Sequence, residues 1–141
     1  MNYMYRLALV NLFLIASVIV GWSYGYVGPI FKNDSSYISY LIATITSINI
    51  LFAFLDCRSK SISETPYMRW MQFTCGKLLY IGLAGTLIGF KGLLIGLNTS
   101  TEPAAIIMSV KEGCLTLANT TLLGLVGFLW ANLNFYLLGE E

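Results

Sequence analysis

The chain alternates between long uncharged stretches and short polar breaks, and four of the stretches are long enough to cross a bilayer. Residues 7–31 carry no charge and open with LALVNLFLIASVIVGW. A bilayer core takes about 20 apolar residues in helical form, which predicts a first span over about residues 7–28. Trp22, Tyr24 and Tyr26 supply an interfacial belt, and Gly28-Pro29 is expected to end the helix. Arg6 before an apolar run also has the form of a signal peptide, but with Met1 in place the segment is expected to be retained.

Lys32-Asn33-Asp34 forms a polar turn, and the second uncharged run predicts a span over about 35–56, closed by Asp56. Residues 57–77 are the most polar segment, with Arg58, Lys60, Arg69 and Lys77 against Asp56 and Glu64. Pro66 and the neighbouring serines predict a loop there, with at most a short surface helix around residues 68–73. A third span is expected over about 78–97 and ends at Asn98-Thr99-Ser100-Thr101. Thr101 before Glu102-Pro103 is a good helix start, because threonine caps and proline is tolerated in the first turn. The fourth span covers about 113–138. The expected fold is therefore all-α: one membrane domain with four transmembrane helices. Lysine and arginine collect in the 57–77 loop and at Arg6, whereas the loops at 23–36 and 98–112 carry one lysine each. The positive-inside rule then makes 57–77 cytoplasmic and gives an N-in/C-in topology.

Composition agrees with burial in lipid: hydrophobic residues make up 57%, charged residues 11%, and mean hydropathy is +0.72. Soluble domains carry about 25% charged residues. A net charge of +1 offers no basic surface for nucleic acid. Cys57, Cys75 and Cys114 lack CxxC spacing, so neither a disulfide framework nor a metal site is expected. Histidine is absent, which removes the commonest general base and metal ligand, so an enzyme is a poor match and no cofactor is expected.

The third and fourth spans carry the distinctive chemistry. In YIGLAGTLIGFKGLLIG, glycines 82, 85, 89, 92 and 96 recur at helical spacing and share one face. The fourth span has a matching stripe of Gly113, Thr116, Thr120, Gly124, Gly127 and Ala131. Lipid provides no hydrophobic drive between helices, so such stripes serve close packing. Thr86 and Thr121 flank the two stripes at similar counts from opposite helix ends, which predicts that both lie near the midplane, beside the packed faces. Lys91 lies far around the helix from the glycines and is read as a headgroup anchor or as an ion-pair partner of Glu112.

These residues resemble the paired signatures of the MotA/TolQ/ExbB proton-channel family. Gly82-Leu83-Ala84-Gly85-Thr86-Leu87-Ile88-Gly89 is similar to the family's G-L-x-G-T-x-x-G helix. Glu112-Gly113, Thr120-Thr121 and Gly124-Leu125 fall in register with its E-G-x-x-E-A-L-x-T-T-x-x-G-L helix. The resemblance covers about residues 78–136. It implies a homopentamer whose third and fourth helices surround a pore, in the bacterial inner membrane. It also implies a single-span partner, MotB/TolR/ExbD-like, carrying an intramembrane aspartate. Thr86 and Thr121 match the family's pore threonines, and Thr120 and Thr116 extend the expected ion path. Two positions depart from the pattern: Thr116 stands where the family has a second glutamate, and Trp130 where it has proline. Apart from Asp56, which closes the second span at its end, no Asp or Glu lies within the four expected spans, so the titrating group must come from the partner.

The sequence thus reads as a small channel subunit coupling ion flow to partner motion. The alternatives are a non-conducting structural or assembly protein and a holin-like lesion former.

Overall fold

The computed structural model describes residues 3–34, 36–59, 66–99 and 101–138, and all five elements in them are helices: α1 (Tyr3–Ser23), α2 (Val27–Lys32), α3 (Ile38–Ser59), α4 (Pro66–Thr99) and α5 (Pro103–Leu138). Lys60, Glu64, Glu140 and Glu141 lie outside the described residues. Four helices are long and apolar enough to cross a membrane. Their outward faces carry large apolar side chains, such as Leu12 at 70% and Phe13 at 71% exposure on α1. This is an integral membrane protein, since such a surface is stable only against lipid or other protein.

The helix ends differ from those expected. Gly25, at φ 78°, turns the chain after α1. Pro29 then sits early in α2, where a missing N–H costs nothing, instead of ending the first span. At the other end, α3 runs to Ser59 and α4 already begins at Pro66. The segment expected as a loop with a surface helix at 68–73 is therefore largely the first turns of α4. Its proline occupies the first helical position, and Met71, Thr74, Cys75 and Leu78 recur at helical spacing as a buried face.

α4 and α5 form an antiparallel hairpin that is the most extensive interface in the molecule. α3 packs along both, around Ile42, Cys75, Leu78 and Ala131. α1 lies on α3 and α5, where Leu7, Ala53 and Met71 form a second apolar cluster. Polar contacts fix α1 against α5. The Asn11 side-chain amide donates to the Asn134 Oδ1 at 2.8 Å and to the Leu7 carbonyl, and the Trp130 indole donates to the Asn11 Oδ1 at 2.7 Å. Both asparagines are buried, and each side-chain nitrogen and oxygen has a hydrogen-bond partner.

Contacts between the helices also set a common depth scale. Thr46, at the middle of the apolar run of α3, meets Gly127, which in turn faces Leu78. Near α2, Thr116 donates to the Asn33 carbonyl and Asn119 to the Ile30 carbonyl, while Gly89 faces Thr116. Aromatic rings mark both ends of this zone. Trp22, Phe31, Tyr37 and Tyr40 cluster beside α2. Phe52, Tyr67 and Trp70 cluster at the opposite end. Such girdles sit at membrane interfaces. The zone between them runs along α3 from Tyr37 and Tyr40 to Phe52 and is roughly 18–22 Å deep at 1.5 Å per residue. The α4–α5 hairpin continues about 15 Å beyond the α2 level, carrying Lys91, Glu102, Lys111 and Glu112.

Asp34 holds the entry to α3. One carboxylate oxygen accepts from the Ser36 N–H and hydroxyl, and the other from the Ser39 N–H at 2.7 Å. Burial pushes this carboxyl up, but the hydrogen bonds from Ser36 and Ser39 outweigh it and hold the group below the ordinary value of 3.8. A depressed carboxylate adds stability above its unfolded-state value and loses it as pH falls through the folded one. Asp34→Ala is expected to lower stability by about 1–2 kcal/mol at neutral pH. It should also remove part of the acid-induced loss below about pH 4, as measured by thermal unfolding in detergent micelles.

Candidate functional site: a threonine pair and a mid-depth lysine

The small-residue stripes meet along the α4–α5 interface. A Cβ placed on Gly82 would stand 2.9 Å from the Gly124 Cα and 3.0 Å from the Thr120 carbonyl oxygen. One placed on Gly85 would stand 2.6 Å from the Thr120 Cβ. Gly89 faces Thr116, and Gly96 faces Ser109, in the same way. Gly92 is different, since nothing lies within 4 Å of its would-be Cβ. It lines a cavity of about 130 Å³ with Ile88, Gly89, Ser109, Glu112 and Gly113.

This close approach brings Thr86 and Thr121 together, with their hydroxyl oxygens 3.0 Å apart. Each hydroxyl also reaches its own helix: Thr86 lies 3.0 Å from the Gly82 carbonyl and Thr121 lies 2.8 Å from the Leu117 carbonyl. Two hydroxyl hydrogens are therefore shared among three contacts. If both point to the carbonyls, two lone pairs face each other, so one hydrogen must bridge the pair in either direction. The pair keeps spare acceptor capacity and can exchange the bridging donor without moving heavy atoms. Both threonines are half-buried on the flank of the packed stripes.

Thr116 and Thr120 are not part of an open path within the subunit. They are 1% and 0% exposed, and their hydroxyls bond the Asn33 and Thr116 carbonyls respectively. Their place is the packed interface. The depth of the Thr86–Thr121 pair also differs from the expected midplane. It lies close to the α2 level, because α4 and α5 extend past the four-helix body and counting from their ends misplaces the centre. Lys91 and Glu112 are both exposed on the extension, and among the described residues no ion pair joins them.

The charge at mid-depth is Lys77. Its neighbour Leu78 shares the level of Thr46 and Gly127, the centre of the apolar zone. Lys77 points away from the bundle, and its ammonium lies 5.5 Å from the Phe73 ring centre and 5.8 Å from that of Tyr80. A lysine at a helix centre in a bilayer costs about 2.5–3.5 kcal/mol on insertion scales. Cation–π contacts return about 0.5–2 kcal/mol. Counting charges along the sequence assigned Lys77 to a loop; the missed signal was the apolar periodicity through residues 71–78. Across the whole chain no family model matches, and neither the curated proteins nor the solved structures contain a match.

Proposed function

We propose that this protein is a subunit of a proton channel or motor complex of the MotA/TolQ/ExbB type. In this reading it is N-in/C-in in a bacterial inner membrane, with α4 and α5 of five copies surrounding a single-span partner that carries an intramembrane aspartate. The observation that carries the reading is the contact between the Thr86 and Thr121 hydroxyls. Two hydroxyls that share hydrogens among more acceptors can pass a bridging hydrogen from one to the other. They cannot store a proton at neutral pH, so a titrating carboxylate must approach from the partner. The driving force for each transferred charge is about 2.3 kcal/mol per 100 mV.

The test uses the complex purified from its native membrane and reconstituted in vesicles with a pH-sensitive dye inside. Thr86→Val and Thr121→Val are expected to lower partner-dependent proton flux on the order of tenfold or more. Thr86→Ser, which restores a hydroxyl, should recover most of it. Assembly, followed by size-exclusion chromatography, should be unchanged. Flux in the valine variants equal to that of the native protein ends the pore assignment.

One observation favours the structural alternative. Trp130, which stands where the resembling family has proline, donates its indole N–H to Asn11 and so serves to hold α1 on α5. A protein that only packs its neighbours would give no flux with either threonine present.

A further inference from the structure

We infer that Lys77 is a docking point for a second membrane helix, one that carries a carboxylate at mid-span. The inference does not depend on conduction through the threonine pair, since Lys77 lies about 180° around α4 from Thr86 at 100° per residue. Four observations identify the occupant.

The first is position. Lys77 sits beside Leu78 at the middle of the apolar zone, on a face that no other helix of the subunit covers. Its stem reaches about 6 Å, short of the roughly 10 Å to the level of Trp70 at the nearer end of the zone. The ammonium also stays between the Phe73 and Tyr80 rings instead of extending towards an end. A lipid phosphate is therefore out of reach.

The second is charge. The described carboxylates Asp34, Asp56, Glu102 and Glu112 lie at or beyond the ends of the zone. None of them is level with Lys77.

The third concerns symmetry. Copies arranged around an axis along the membrane normal keep every residue at its own depth. Among the described residues a neighbouring copy therefore brings no carboxylate to the level of Lys77, and the counter-charge is assigned to a different chain.

The fourth is shape. Gly76 has nothing within 4 Å of its would-be Cβ, and it adjoins Lys77 on the open side of α4. Phe73 and Tyr80, 63% and 65% exposed, flank the same surface. A helix backbone can approach there closely, with its carboxylate between the two rings and against the ammonium. Acidic side chains buried in bilayers pair in this manner with basic ones.

The experiment measures association in neutral phosphatidylcholine vesicles between the full-length protein, labelled with a donor dye, and oligo-leucine transmembrane peptides carrying an acceptor. The peptides hold Asp, Asn or Leu at the central position, or Asp one helical turn from the end. The central-Asp peptide is expected to bind on the order of tenfold tighter than the other three. Asn controls for hydrogen bonding without charge. Lys77→Gln should abolish the preference and Lys77→Arg should keep it, while Lys77→Asp should transfer it to a central-Lys peptide. Equal binding of all four peptides to the native protein overturns the proposal without any variant having to fold. So does a central-Asp preference that survives Lys77→Gln. Two further results overturn it in favour of other occupants: a Lys77-dependent gain in stability from added phosphatidylglycerol alone, or a change in oligomer size with Lys77→Gln in the absence of peptide. Proton flux through Thr86 and Thr121 is measured separately, so failure of one reading leaves the other standing.

Discussion

Replacing Gly82 with valine is expected to lower stability by about 3 kcal/mol, the upper end for forcing volume into a packed site. The position has no slack. A single added carbon would stand 2.9 Å from the Gly124 Cα and 3.0 Å from the Thr120 carbonyl oxygen, and both are backbone atoms that cannot rotate away. The reciprocal contact is as tight, with a Cβ on Gly124 falling 2.8 Å from the Gly82 Cα. Relief requires the two helices to separate, which gives up the van der Waals contact that holds membrane helices together. Gly92→Ala is the internal control. Nothing lies within 4 Å of that site, so the variant should match the native protein or gain up to about 1 kcal/mol from helix propensity. Reversible unfolding in mixed dodecylmaltoside–SDS micelles, followed by circular dichroism, measures both. Equal midpoints for Gly82→Val and Gly92→Ala are incompatible with the packed hairpin.

The second large effect is expected at Asn11. Its Oδ1 accepts from Trp130 at 2.7 Å and from Asn134 at 3.2 Å, and its amide donates to Asn134 and Leu7. Asn11→Leu strands two donors on α5. A buried donor without a partner costs about 1–3 kcal/mol, and Trp130 is only half-buried, so a loss of about 2–4 kcal/mol follows. Asn134→Leu should cost less, because Asn11 retains Leu7 as acceptor and Trp130 as donor. The two hydrogen bonds that it removes are worth about 0.6 kcal/mol each on average between membrane helices. The same micelle unfolding experiment ranks the two. If Asn134→Leu proves the more damaging, the centre of the cluster has been misassigned.

How much of this was visible in the sequence depends on the range of each interaction. The stripes on the last two spans were legible because helical periodicity is local, and the five glycines from Gly82 to Gly96 need only their own spacing to be seen. The partnership of Thr86 with Thr121 was suggested by equal counts from opposite ends, and their hydroxyls do meet. Their depth was not legible, because it depends on how α1 and α3 register against a hairpin longer than either. Thr120 and Thr116 read both as members of the packing stripe and, through the resemblance, as an extension of the ion path; each bonds a backbone carbonyl in the packed interface. Lys77 was misplaced for a related reason. Charge density argued for a loop, whereas the buried positions Met71, Thr74, Cys75 and Leu78 carry the helix straight through it. The Asn11–Asn134 contact spans 123 positions, and no local pattern announces it.

That contact also fixes the side of the bundle on which α1 begins and α5 finishes. Asn11 and Asn134 touch, and from that contact α1 runs back to Tyr3 and α5 runs on to Leu138, so both helix ends leave the bundle on the same side. A short polar linker can therefore join the end of one copy to the start of the next without crossing the bilayer. Concatemers of two, three or five copies built this way would set subunit number genetically. Adding a variant to one chosen copy would then count how many intact threonine pairs, or how many Lys77 positions, an assembly needs.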